Sequence, residues 1–158
     1  MGRRAAAFLV IVAMFTGAAT AFAGELTLGR TRGQTGGEVT VPLTYRQSSG
    51  PAAAGMATDI RFDPKGLTQP RCAAGAALSS GQKSVKCAEP QPGLLRVAIY
   101  GLNLDPVPDG EVATVTFRVS PQARHGLYRL RHQPSAADAG GKEFTLLRHD
   151  GLIRVGPR

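Results

Sequence analysis

The sequence predicts an all-β fold, a sandwich or a barrel, on three observations. Apolar and polar residues alternate with a period of two along most of the chain, as they do on strands with one face in a core and one in water. Turn signals cut this alternation into short runs: Gly36-Gly37, Asp63-Pro64, Asp105-Pro106, Asp109-Gly110, Gly140-Gly141 and Asp150-Gly151. Apolar spacing at the helical period is hard to find after the first two dozen residues. Short strands punctuated by turns, without helices between them, build sandwiches and barrels.

The elements follow in chain order. Residues 1–23 read as a cleavable signal peptide: Arg3 and Arg4, then an apolar run from Ala5 to Gly17, then Ala21-Phe22-Ala23 as a small-residue cleavage site. Arg3-Arg4 lacks the neighbours of a twin-arginine signal, and no cysteine follows the run to carry a lipid. The expectation is a secreted protein, extracellular or periplasmic, with no stable membrane insertion after cleavage, since no later apolar stretch reaches about 20 residues. Residues 24–158 then form one domain of 135 residues. A chain of that size buries about two thirds of its unfolded surface without help from metal.

Leu26 to Leu28 open the strands. Val39, Val41, Leu43 and Tyr45 alternate with Thr40, Pro42 and Thr44, and Pro42 predicts an edge position because it has no N–H for a ladder. Met56, Ile60 and Phe62 share one face of the next strand, with Ala57, Asp59 and Arg61 on the other. The Gly/Ala/Ser-rich stretch from Pro70 to Gly93 reads as the least ordered part. Leu95, Val97 and Ile99 point one way and Arg96, Ala98 and Tyr100 the opposite way. Ala113, Val115, Phe117 and Val119 mark the longest uninterrupted strand, and shorter ones are predicted at Leu127 to Arg131, Phe144 to Leu147 and Leu152 to Val155.

Two cysteines occur, Cys72 and Cys87, and in an oxidising compartment they are expected to pair. The chain has 19 Lys and Arg against 11 Asp and Glu. Loss of Arg3 and Arg4 with the leader lowers the net charge from +8 to +6. The arginines are spread along the sequence rather than packed into one run, so they predict a solvated surface and not a nucleic-acid site.

Nothing in the sequence marks an enzyme. His125, His132 and His149 have no metal-ligand spacing and read as surface residues near strand ends. No Gly-x-Ser-x-Gly nucleophile elbow is present. Asn103, Asp105, Asp109 and Glu111 gather oxygens around one turn, but without the alternating acids of a calcium loop they predict a proline-stiffened turn, with calcium only as a weak candidate. No cofactor is implied. A sugar-binding face wants exposed aromatic rings; the chain has no tryptophan, Tyr45 and Tyr128 count as core-facing, and only Tyr100 points outward.

Several segments taken together resemble the cohesin domain. They are Gly37-Glu38-Val39-Thr40-Val41-Pro42-Leu43, Ile60-Arg61-Phe62-Asp63-Pro64 with Leu67, Leu95 to Leu102, Gly110 to Val119, Ala137-Asp138 with Gly140-Gly141, and Gly151 to Val155. The resemblance spans nearly all of residues 24–158. It implies a jelly-roll β-sandwich of about nine strands, related in fold to bacterial carbohydrate-binding modules. It also implies that one flat sheet face grips a partner module, the dockerin, through residues equivalent to Ala57, Asp59, Arg61, Arg96, Ala98 and Tyr100. The chain differs from cellulosome scaffolds in reading as one domain alone, which weakens the expectation of a role in assembling cellulases. The expected function is protein recognition. Polysaccharide binding beside polysaccharide-degrading enzymes, or a structural place in an envelope or secretion assembly, are the alternatives.

Overall fold

The computed structural model describes residues 22–157. The signal-peptide reading falls, apart from Phe22 and Ala23, outside the described residues. Twelve strands form two packed sheets. They are β1 (Gly24–Leu28), β2 (Arg30–Gln34), β3 (Glu38–Gln47), β4 (Gly55–Arg61), β5 (Leu67–Ala74), β6 (Ser84–Gln91), β7 (Leu94–Tyr100), β8 (Gly110–Val119), β9 (Gly126–Ala137), β10 (Glu143–Thr145), β11 (Leu147–His149) and β12 (Gly151–Gly156). One sheet has the order β11-β1-β3-β8-β5. The other runs β2-β12-β9-β4-β7-β6, with β10 pairing to β9. The sandwich is therefore as predicted. Its count exceeds nine mainly because two strands are broken where they pass from one sheet to the other, β1 into β2 at Gly29 and β11 into β12 at Asp150.

The period-two pattern places the core. Leu26, Val41, Leu43, Tyr45, Val115 and Phe117 of the first sheet face Ile60, Leu95, Val97, Leu130 and Ile153 of the second, all at most 1% exposed. Phe62 and Phe117 meet edge-tilted, with centroids 5.0 Å apart and planes at 60°. Tyr45 is buried as expected, and Tyr128 is half-buried against the core with its hydroxyl donating to the Arg124 carbonyl at 2.9 Å. Among the described residues no helix is long and apolar enough to cross a membrane.

Three expectations need correction. Pro42 is not on an edge: β3 lies between β1 and β8. The ladder with β1 ends at the pair Leu28 and Leu43, so the missing N–H falls just past it. Gly29 stands opposite, donating its amide to the Pro42 carbonyl at 2.9 Å, and a Cβ at Gly29 would lie 2.6 Å from the proline ring. The stretch 70–93 is not loose either. Most of it forms β5, a short 3-10 turn (Ala76–Leu78) and β6, and the Pro92-Gly93 turn, with Gly93 at φ 84°, returns β6 into β7. The third correction is His132, which is 1% exposed rather than on the surface. Its Nε2 donates to the His149 carbonyl at 3.1 Å, which leaves Nδ1 to accept from the Thr58 hydroxyl at 3.0 Å.

Cys72 and Cys87 are bonded, with Cα atoms 6.1 Å apart. Because β5 and β6 are the last strands of their respective sheets, the bond closes one open side of the sandwich. The other side is closed by the two chain segments that change sheets.

Candidate functional site

The six residues expected on the partner face come together. In the antiparallel pair β4 and β7, Ala57 lies opposite Ala98, Asp59 opposite Arg96 and Arg61 opposite Leu94. The alternate residues Met56, Thr58, Ile60, Leu95, Val97 and Ile99 are buried, so the six must face solvent. Asp59 and Arg96 form a two-point pair, Nε to Oδ1 at 2.7 Å and Nη2 to Oδ2 at 2.8 Å. The hydrogen bond from Arg96 holds the Asp59 carboxyl below its ordinary pKa, against the opposing effect of partial burial, and raises that of the guanidinium. Fixed in this way, the two groups are a preorganised polar contact rather than two free charges.

Small residues occupy one row beside this pair, which Lys86 of β6 closes opposite Ala98. Ser135 of β9, Ala57 and Ala98 form a row across three strands, and Ala88 of β6 lies beside Arg96. Tyr100, 45% exposed, ends β7 opposite Ser84. The loop after it carries Leu102 and Leu104, both well exposed, which sequence reasoning passed over because they lie outside any alternating run. This loop is held in place from beneath. Lys83 is buried and donates its ammonium to the carbonyls of Ala54 at 2.8 Å and Asn103 at 3.2 Å, while the Val107 amide donates to Ala53 at 2.7 Å. Tyr100, Leu102 and Leu104 thus form an apolar rim beside the flat polar centre.

The oxygen-bearing turn behaves differently from a cation site. Asp109 accepts the Gln47 amide through Oδ1 at 2.8 Å, Asn103 donates to the Gln82 carbonyl at 3.4 Å, and Glu111 sits on β8 opposite Thr44. Among the described residues no group of three or more His, Cys, Asp or Glu side chains is placed to hold a metal ion. The flat face offers shape and charge to another surface.

The cohesin domain model matches residues 24–153. The chain belongs to the cohesin domain family. Solved structures agree on the fold of this cohesin. The Clostridium acetobutylicum protein CaCohA2, crystallised as a complex with CaDoc0917, is 24% identical with a TM-score of 0.73, over 84% of this chain and 99% of that one. The sixth cohesin of Acetivibrio cellulolyticus scaffoldin B, in complex with a mutant Cel5 dockerin, is 17% identical with a TM-score of 0.72, over 85% and 99%. A non-cellulosomal cohesin from the archaeon Archaeoglobus fulgidus is 15% identical with a TM-score of 0.67, over 84% and 91%. No curated protein matches the chain.

Proposed function

We propose that this cohesin is an exported protein-recognition module that receives a dockerin-like partner on the outer face of β4, β7 and β9, acting by binding and not by catalysis. The observation that carries this reading is the flat outward surface itself, with the fixed Asp59 and Arg96 pair at its centre and the apolar rim of Tyr100, Leu102 and Leu104. A flat patch of this kind is suited to burying on the order of 800 Å² against a second protein, with the apolar rim supplying most of the affinity. The Clostridium acetobutylicum and Acetivibrio cellulolyticus cohesins named above were both solved as complexes, the second with a dockerin, which supports the choice of partner class. The Arg-containing leader over residues 1–23 supports export. Polysaccharide binding is disfavoured, because on this face Tyr100 is the single exposed ring.

The test is capture of a dockerin-bearing protein from the producing organism's secreted and envelope fractions on the immobilised chain. Arg96→Glu and the double variant Leu102→Ser/Leu104→Ser should each weaken capture at least tenfold with little change in melting temperature. Capture that survives both variants would remove this face from the interface.

A further inference from the structure

The arginines that lie scattered in the sequence are gathered by the fold. Four of them come from β2, β12 and β9: Arg32 is the register partner of Arg154, and Arg30 and Arg129 flank Leu152 on either side. On the next strand over, Arg61 of β4 is the register partner of Arg131 of β9. All six are exposed and face outward, and none has an ion-pair partner among the described residues. Strands lie about 4.8 Å apart and outward residues about 6.8 Å apart along a strand, so the guanidinium groups form a flat lattice at those spacings.

This lattice is a property of one face. Across the sandwich, the outward positions of β1, β3, β8 and β5 hold Glu25, Glu38 and Glu111 against Arg46, Arg71 and Arg118, a balanced set in which Arg71 is bonded to Glu38 at 2.6 Å. On the arginine-bearing face the carboxylates are few and tied into the fold or remote: Asp63, two residues past Arg61, accepts the Lys65 amide at 2.9 Å, and Glu89 of β6 accepts the Gly93 amide at 3.4 Å. Asp59 is held by Arg96. Asp150, in the shallow groove beside Arg30 and Arg129, accepts the His132 amide at 3.1 Å. Glu143 sits opposite Ala137, six residues along β9 from Arg131 and about 20 Å away. Like charges directly opposite on neighbouring strands destabilise a sheet. Two such pairs on adjoining strands, neither of them in an ion pair among the described residues, have a cost that an anionic partner would offset; Asp59 acts on Arg61 only at longer range, bonded as it is to Arg96.

We propose that the six-arginine lattice is an extension of the recognition face that takes an acidic protein surface, the carboxylate-rich part of the same partner. The inference rests on the reading of the β4, β7 and β9 face as the partner site, with which the lattice is continuous through Arg61 and Arg131. Planar guanidinium groups match carboxylates two bonds at a time. A protein is favoured over a glycan or a single-stranded nucleic acid because the lattice contains no aromatic ring; Tyr100 stands at the far end of β7, six residues from Leu94.

The experiment measures binding of the purified chain to poly-L-glutamate at 50 and 200 mM NaCl, with heparin and duplex DNA as competing probes. Two triple variants carry the same loss of charge: Arg129→Gln/Arg131→Gln/Arg154→Gln on the lattice, and Arg46→Gln/Arg71→Gln/Arg118→Gln on the balanced face. The expected result is poly-L-glutamate binding that weakens with salt, falls at least tenfold in the lattice variant and less than threefold in the control. Arg129→Lys/Arg131→Lys/Arg154→Lys, which keeps charge and fold, should recover part of the loss. Equal losses in the two Gln triples would mean net charge alone is at work and would overturn the proposal. So would no binding, or a lattice dependence seen with heparin or DNA but not with poly-L-glutamate. Capture of the dockerin-bearing protein unaffected by the lattice variant would overturn the extension and leave the central face intact as the partner site, whereas capture that survives Arg96→Glu but falls in the lattice variant would remove the central face from the interface.

Discussion

His132 shows how one side chain escapes a sequence reading. In sequence it is a polar residue flanked by Arg131 and Gln133, and its inward place follows only from the unbroken alternation Tyr128, Leu130, His132, Pro134 and Ala136 along β9. Burial lowers its pKa below the usual imidazole value of 6.5, partly opposed by the hydrogen bond to the His149 carbonyl. The neutral ring, with Nε2 donating and Nδ1 accepting, satisfies both neighbours. An unfolded chain protonates this histidine more readily than the folded one does, so its contribution is whole above about pH 6.5 and is lost as pH falls through the lowered folded value. Urea midpoints should therefore drop between pH 7 and pH 5 in the wild type, and the drop should shrink in His132→Gln. A pH slope unchanged by that substitution would assign the acid sensitivity to other groups. Asp59, by contrast, was legible at once as an outward residue, but its lock on Arg96 depended on the pairing register of two strands 37 residues apart in sequence.

At the level of elements, strands with clean alternation were readable and those without it were not. β3, β4, β7 and β8 stand where the apolar pattern places them. β5 and β6 were hidden because they sit at sheet edges, where only one flank is paired and small or charged residues are tolerated, and because β5 carries an irregular register between Thr68 and Arg71 with Gln69 at φ 49°. The outward residues of β4 and β7 were placed by their alternation; the apolar rim beside them was not, since the loop 101–109 is positioned by the buried ammonium of Lys83, a contact no local pattern signals. The Cys72 to Cys87 bond ties two edge strands, β5 and β6, together across the sheets. Closing a loop of this separation, 15 residues, is worth about 3 kcal/mol through the unfolded state. The Cys72→Ser/Cys87→Ser variant should lose about that much in urea denaturation, and amide exchange should quicken first in β5 and β6. Uniform acceleration across all strands would show that the bond supports the whole domain rather than its open side.

For the molecule as a whole, charge is the property that sequence order conceals. Of 19 Lys and Arg in the chain, eight share one sheet face: the six of the lattice with Arg96 and Lys86. Their sequence positions run from 30 to 154, so no window of the sequence shows a cluster. Only the strand order β2-β12-β9-β4-β7-β6 assembles them. The same topology has a mechanical consequence. The first and last strands of the domain run parallel and side by side, β1 with β11 and then β2 with β12. A pull on the two ends of the chain in opposite directions therefore loads these ladders in shear, so that all their hydrogen bonds resist together instead of parting one at a time. Single-molecule stretching from the termini should meet a high rupture force, set by the rate of unfolding under load. Stretching from the Pro92-Gly93 turn, which peels β6 and β7 from one end, should meet a much lower one. The domain is thus braced along the line that joins its two ends.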